Sequence, residues 1–432
     1  MFITGIVICW KVRILSKQKA SQARKVAFEV LDAVFRQGAY SNIALNQALS
    51  AGDFSVSERG LITEIVYGVL QHKLLLDYYL APFIDKKLPK KWMLPLLESA
   101  VYQLVFLDKV PSYAVLNETI DIAKRKGGSF IGKMVTAILR NFERNERPSL
   151  EHLPDNERLS VATSHPLWLV DFLLKQYPMT VVEPLLEQNN LPPLRVARIN
   201  HLKTGDLSVF DAGPIAGSVT LNRGNIAHTE AYNAGLVAIQ DLSSQHVAPM
   251  LAPLEGERIL DMCAAPGGKT MHIADLMKNT GEIIANDLHE HKLELMREAA
   301  ERLGVTNVTF SNYDALELPK VFEAGAFDRI LLDAPCSGLG VIRRKPDLRY
   351  RISKADLDSL VGLQAELLTT AWQLLKAGGT LVYSTCTINH FENQDQVQAF
   401  LAAHQDAELE AEIDFAESKE SDGFYIAKMK KH

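Results

Sequence analysis

Two runs of the chain end an apolar stretch on a small-residue turn that carries a thiol: Asp333-Ala-Pro-Cys-Ser-Gly338 and Tyr383-Ser-Thr-Cys-Thr387. Cys336 and Cys386 lie 50 residues apart, a spacing that no helical or strand period connects. A lone free cysteine is more often a small buried hydrophobe than a reagent. Two at the carboxyl tips of neighbouring strands are a different matter, because cysteine is a strong nucleophile even at ordinary pH. One chemistry with a use for such a pair is substitution at an unreactive ring carbon. Carbon 5 of a cytosine does not attack an electrophile unaided. A thiolate added to carbon 6 turns the ring into an enamine, whose carbon 5 then attacks a sulfonium methyl. A carboxylate such as Asp333 suits the protonated ring nitrogen or the exocyclic amine. A base then takes the carbon 5 proton, and the thiol leaves.

A second constellation lies upstream. The run Ile259-Leu-Asp-Met262 reads as a strand that empties into Cys263-Ala264-Ala265-Pro266-Gly267-Gly268-Lys269-Thr270. In open α/β sheets the ligand sits beyond the carboxyl ends of the strands, where the strand order reverses. Gly267 and Gly268 let the backbone approach a ligand closely, and a helix beginning near Lys269 points its first N–H groups at it. The loop is neither of the common phosphate-binding patterns: Cys263 stands where G-x-x-x-x-G-K-[ST] needs a glycine, and there is no G-x-G-x-x-G. That weighs against a nicotinamide-dependent dehydrogenase. The next strand ends at Asp287, 26 residues after Asp261, where a carboxylate can accept from ribose hydroxyls. Asp314 follows the third strand and Asp333 closes the fourth. One aspartate after a strand is usually a turn or a helix cap; three after successive strands, behind a glycine loop, suit an adenosine-bearing ligand.

These residues need a sheet to hold them. Strands are predicted at Arg258–Met262, Gly281–Asn286, Val308–Ser311, Arg329–Leu332, Gly379–Tyr383, Glu408–Ile413 and Phe424–Met429, with helices between most of them. Such alternation makes an open, mainly parallel sheet covered on both faces. Ahead of it the periodicity is helical. Ala27, Val30, Leu31, Val34 and Phe35 form one apolar stripe, and helices are predicted near Ser57–Leu75, Trp92–Leu107, Tyr113–Lys126 and Ile131–Arg144, with Ser112 as a cap. The polar stretch Glu146–Pro154 holds two prolines. A helical segment is predicted over Pro166–Gln188, then short strands at Arg195–Ile199, Ser208–Phe210 and Ser218–Leu221. The expected division is a tail at 1–20, a helical bundle at 21–145, a linker at 146–165, a small helical plus α+β segment at 166–235 and an α/β domain at 236–432.

The 432 residues suffice for several cores without disulfide staples. The four cysteines, Cys9, Cys263, Cys336 and Cys386, show no metal-type spacing, so no metal site is expected, and scattered free thiols fit the cytoplasm. The apolar stretch Phe2–Trp10 is weak as a signal peptide, and no run is long enough to span a membrane. A net charge of −6 conceals a balance of +8 in residues 1–150 and −14 in the rest, which points to nucleic-acid contact through the front of the chain. Arg24, Lys25, Lys124, Arg125 and Lys126, with Arg343-Arg344-Lys345, are candidate phosphate contacts.

The back of the chain, from about Gly235, resembles the RNA cytosine-5 methyltransferases of the Nop2/Sun group. The residues that carry the likeness are Asp261 to Thr270, Asp333 to Gly338, Ser384-Thr-Cys-Thr387, Gln240-Asp241, Lys345-Pro-Asp347 and Glu392-Asn393. Residues 20–145 resemble the NusB-like helical RNA-binding domain through Val66-Tyr-Gly-Val69, Val110 to Glu118 and Ile138-Leu-Arg-Asn141. The resemblance implies an all-α NusB-like bundle, a small α+β middle segment and a Rossmann-like class I methyltransferase domain with a mainly parallel seven-stranded sheet. It implies Cys386 as nucleophile and Cys336 as the residue that aids product release. It also implies S-adenosyl-L-methionine held by Cys263, Ala264, Ala265, Pro266, Gly267, Gly268, Lys269, Asp287, Asp314 and Asp333. A NusB-like front joined to this catalytic domain is similar to those members that methylate one cytosine of 16S ribosomal RNA. The expected enzyme acts on that RNA as a monomer, without a metal or a membrane. Transfer RNA as substrate, and a non-catalytic RNA-binding or antitermination factor, remain the competing readings.

Overall fold

The computed structural model describes residues 22–84, 87–415, 418 and 421–432. The expected tail at 1–20, with Phe2–Trp10 and Cys9, lies outside the described residues. The chain divides into two compact units: residues up to Asp171 together with Lys345–Tyr350, and Phe172–Arg344 together with Arg351–His432.

The first unit is helical, built from Ala23–Gln37, Ser41–Ala51, Val56–Leu80, Met93–Phe106, Ser112–Arg144 and Asp155–Thr163. The stripe read from Ala27 to Val34 is buried, and Gly38 ends that helix with a left-handed φ of 73°. Ser55 and Glu58 form a reciprocal capping box at the start of the third helix. Phe28, Leu31, Ile62, Val66, Leu97, Val135 and Leu139 share one core. The two helices predicted on either side of residues 127–130 are both present within Ser112–Arg144, separated by a kink at Gly128 with φ 82°. Two expectations change. Ser112 is the first residue of Ser112–Arg144 rather than a cap; Pro111 precedes it and no side chain caps it. The stretch read as a linker at 146–165 contains the helix Asp155–Thr163, whose Leu159 is buried. The segment Lys345–Tyr350 belongs here too. Asp347 accepts from Ser41 Oγ at 2.5 Å, the fully buried Arg349 donates to Thr163 O at 3.0 Å, and Tyr350 donates to Leu70 O at 2.9 Å.

In the second unit the helical stretch predicted over 166–188 is broken into Leu167–Leu174 and Met179–Gln188, the unit boundary falling inside the former. Pro178 is the reason: it is itself extended, as the N-cap of the second helix, and disfavours helical backbone in the residue before it. Four short strands follow: β1 (Val196–Ile199), β2 (Asp211–Ala212), β3 (Ser218–Thr220) and β4 (Val237–Ile239), in antiparallel order β2-β3-β1-β4. Residues 208–210 form a turn, and the pairing falls on β2 instead.

The seven predicted strands of the α/β domain are all present: β5 (Arg258–Asp261), β6 (Glu282–Asn286), β7 (Val308–Ser311), β8 (Phe327–Asp333), β9 (Leu375–Thr385), β10 (Ala407–Phe415) and β11 (Phe424–Lys431). Their order is β10-β11-β9-β8-β5-β6-β7. β5 to β9 run parallel, and β11 is antiparallel to both its neighbours. The chain moves outward from β5 through β6 to β7, then returns to β8 on the other side of β5, so the order reverses at β5. Apolar residues are buried on both faces: Leu260, Ile330, Leu332 and Tyr383 on one, Ile259, Ile283, Leu331 and Val382 on the other. This is why the strands read as continuous apolar runs.

The small sheet is tied to the α/β domain by a buried ion pair. Arg198 of β1, 2% exposed, donates to Asp275 of the helix Gly268–Leu276, 4% exposed. Removing one partner of a buried pair leaves an uncompensated charge, at a cost of about 3–5 kcal/mol. Asp275→Ala should therefore lower the urea midpoint of the second unit by a corresponding amount. An unchanged midpoint would show the pair to be idle.

Candidate active site

The glycine loop forms where β5 ends. Asp261 is buried, and Thr270, one turn into the following helix, donates to its Oδ2 at 2.7 Å. Gly267 takes φ 96°, a left-handed conformation that turns the chain into the helix Gly268–Leu276. A Cβ on Gly268 would meet nothing within 4 Å, so the helix begins on open space. Asp261 Oδ1 is buried without a hydrogen-bond partner. Such an orphan acceptor costs free energy unless a ligand donor completes it. Burial pushes the Asp261 carboxyl up to about 7, with Thr270 opposing and Asp333 adding to the rise.

Asn286 and Asp287 organise the ends of β6 and β7. Asn286 is fully buried and donates from Nδ2 to Met262 O at 3.1 Å and to Tyr313 O at 3.0 Å. Asp287 accepts from Ala265 N at 3.2 Å and His289 N at 3.0 Å, and Lys292 lies 3.5 Å away. Part of the acceptor capacity expected for a ribose is thus used to hold the loop. Asp314 caps the turn Ala315–Lys320 by accepting from Leu316 N at 3.0 Å, so the ordinary capping role is present while the residue stays exposed on the same edge. Two exposed apolar residues adjoin these aspartates, Leu288 at 59% and Tyr313 at 45%. Sequence reasoning missed Asn286, Leu288 and Tyr313; their position beside the strand-end aspartates was the available signal.

The cysteines do meet. In the parallel ladder of β8 and β9, Asp333 pairs with Ser384. The two loops therefore leave the sheet side by side, and Cys336 Sγ lies 3.4 Å from Cys386 Sγ. The hydrogen bond to Cys386 is the largest cause holding the Cys336 thiol well above its ordinary range, ahead of burial. Either sulfur can donate in this contact, and the two thiols face each other at the sheet edge. Asp333 accepts from Lys269 Nζ at 2.6 Å and from Ser384 Oγ at 2.8 Å. Burial is the largest effect and works against the Lys269 ammonium, but Asp333, Cys386 and Asp261 together outweigh it, so the charge is retained. Lys269, expected among the cofactor contacts, is thus directed to the carboxylate and cysteine side of the loop. Burial pushes the Cys263 thiol far up, and Asp261 adds to it, which leaves Cys263 an inert packed group.

The basic candidates separate. Arg343 is buried against Asp422, and Arg344 is shared between Asp241 and Asp422, so neither is free to grip a phosphate; carboxylates distant in sequence claim both. Lys345 is exposed. In the helical unit Arg24 pairs with Glu118 at 2.9 Å, Lys25 lies 3.7 Å from Glu29, Lys126 lies 3.3 Å from Asp32 and Lys124 lies 4.0 Å from Asp121; Lys124, Arg125 and Lys126 are all exposed. Among the described residues no group of three or more His, Cys, Asp or Glu is placed to hold a metal ion, and no helix is long and apolar enough to cross a membrane.

Comparison with known proteins adds a family to this geometry. A family described as NusB matches residues 21–144, and one described as 16S rRNA methyltransferase RsmB/F matches residues 248–430. The Bacillus subtilis protein named Probable ribosomal RNA small subunit methyltransferase B is 41% identical over 409 residues, spanning 92% of each chain. Ribosomal RNA small subunit methyltransferase B of Proteus mirabilis is 33% identical over 426 residues, 94% of this chain and 98% of its own. A crystal structure of a methyltransferase homolog from Pyrococcus horikoshii is 31% identical with a TM-score of 0.56, covering 65% of this chain and 100% of its own.

The raised Asp261 carboxyl has a measurable consequence. Between its ordinary 3.8 and about 7 the folded protein keeps a proton that the unfolded chain releases. This group's contribution to stability is therefore fully present below that window and is lost as the pH rises through it. The unfolding temperature of the wild type relative to Asp261→Asn should fall between pH 5 and pH 7.5. A difference that does not change with pH would contradict the assignment.

Proposed function

The chain belongs to the family of ribosomal RNA small subunit methyltransferase B, and on that premise we propose that it methylates carbon 5 of one cytosine in 16S ribosomal RNA with Cys386 as covalent nucleophile. The observation that carries the reading is the 3.4 Å approach of Cys336 to Cys386.

S-adenosylmethionine is the methyl donor, and the loop residues fit it. The orphan Asp261 Oδ1, the open start of the helix at Gly268 and the neighbouring carboxylates suit a cationic ligand that carries N–H and hydroxyl donors. Cys263 to Gly268 with Asp287 and Asp314 would hold it, and when bound it supplies an electrophilic methyl on a sulfonium centre. The chain's own residues do the rest. Lys269 and Ser384 hold Asp333, which holds the exocyclic amine or the protonated ring nitrogen of the cytosine. The Cys386 sulfur forms a bond to carbon 6, and the displaced electron pair makes carbon 5 nucleophilic. After methylation a base takes the carbon 5 proton, the electron pair of that C–H bond restores the ring double bond, and the Cys386–carbon 6 bond breaks with its pair returning to sulfur, with Cys336 beside it aiding release.

The target base must be turned out of its stack to reach these thiols, at a cost of a few kcal/mol. The reading makes the enzyme a cytoplasmic monomer, since one chain supplies the whole catalytic set and both thiols must stay reduced. It acts without a metal or a membrane.

Cys386→Ala should abolish both methylation and the covalent protein–RNA adduct, whereas Cys336→Ala should accumulate the adduct on a denaturing gel. Adduct accumulating in the Cys386 variant would reverse the two roles. RNA affinity should fall steeply between about 50 and 200 mM salt, and Lys124→Ala with Arg125→Ala should flatten that dependence by about 0.7 in log–log slope for each phosphate no longer gripped. Binding insensitive to salt would remove these residues from the RNA interface.

A further inference from the structure

Next to the two thiols lies a carboxylate that no step above uses. Glu392 closes the short turn His390–Glu392 that follows Cys386 and is fully buried. Among the described residues it has no ion-pair partner, and a buried carboxylate without a cation is tolerated only when hydrogen-bond donors surround it. Four do. Oε2 accepts from the Ser337 backbone N–H at 2.8 Å and from Gln364 Nε2 at 3.0 Å. Oε1 accepts from Asn389 Nδ2 at 3.0 Å and from Thr387 Oγ1 at 3.4 Å.

The donors come from both reactive loops. Ser337 directly follows Cys336, and Thr387 directly follows Cys386. Their hydroxyls also meet each other at 2.7 Å. Gln364 reaches past the carboxylate to Pro335 O at 2.9 Å, so the residues on both sides of Cys336 are tied to the same knot. From these contacts we propose that Glu392 is a positioning residue that fixes the distance and relative orientation of Cys336 and Cys386, and so governs how the two thiols act on one pyrimidine ring. The proposal rests on the covalent reading for its catalytic consequence, but the geometry it asserts is independent of that reading. The negative charge of Glu392 also helps to hold the proton on Cys336.

Replacing the carboxylate by an amide keeps its size and turns one acceptor into a donor that faces donors. The knot then cannot close, and the loops shift. Misplacement of about 1 Å at reacting groups can cost on the order of 100-fold in rate. Glu392→Gln should lower kcat by roughly 100-fold, while the dissociation constants for S-adenosylmethionine and for RNA move by less than about threefold. The geometry itself is read by oxidation with diamide, which takes two electrons and two protons from Cys336 and Cys386 and joins them as a disulfide. Mass spectrometry of the linked peptides should show this reaction slowed at least tenfold in Glu392→Gln. If that variant does not fold, Gln364→Met, which keeps the carboxylate and removes one of its donors, should show the same two effects at smaller size. Wild-type oxidation and wild-type kcat in a folded variant would overturn the proposal and leave the Cys386 result untouched. A fully active Cys386→Ala with slowed oxidation in Glu392→Gln would do the reverse: the covalent reading would fall and the positioning role would stand.

Discussion

Asp333 stands opposite Ser384 across two parallel strands, and the chemistry of the edge follows from that register. Side chains alternate along a strand with a period of two, so a slip of one residue would turn Asp333 away from Lys269 and carry the two cysteine loops out of step. The register is held from below. Ile330, Leu331 and Leu332 of β8 and Leu381, Val382 and Tyr383 of β9 are all buried, alternately on the two faces of the sheet. A slip would carry the polar residues that flank these runs, Arg329 and Asp333, into positions that apolar side chains fill. Packing deep in the domain thus sets the separation of two sulfur atoms at its rim.

The second constraint is charge. Asp261, Asp287 and Asp333 gather at one sheet edge, and the loop itself supplies Lys269 as a cation against them. Asp333 and Asp287 add to burial in raising the Asp261 carboxyl so far from the usual range. The cluster is costly to an empty protein and favourable to a positively charged guest. Glu392 shows the other way to keep a carboxylate in the interior, surrounded by neutral donors instead of a cation.

Much of this was legible in the sequence, for identifiable reasons. The strands were readable because a parallel sheet buried on both faces leaves unbroken apolar runs such as Ile330-Leu-Leu332. The meeting of Cys336 and Cys386 was readable because it needs only the order of strands. What could not be read depended on partners far along the chain. Arg343 and Arg344 look like a phosphate grip until Asp422 and Asp241 are seen beside them, 79 and 103 residues away. The helix Asp155–Thr163 was hidden by Pro154, a residue read as a loop signal that in fact opens the helix. Glu392 was visible as part of a motif, but its purpose required knowing that Ser337 and Thr387 converge on it.

The segment Lys345–Tyr350 bears on how the molecule can be taken apart. The polypeptide passes from the helical unit to the α/β unit after Asp171, returns at Lys345 and departs again at Arg351. The backbone therefore passes between the two units three times. Excising residues 22–171 would strand Asp347 without Ser41 and the guanidinium of Arg349 without the carbonyl of Thr163. The catalytic half inherits a buried arginine whose acceptor it does not own, and gene truncation at an apparent domain border cuts through the interior of a core.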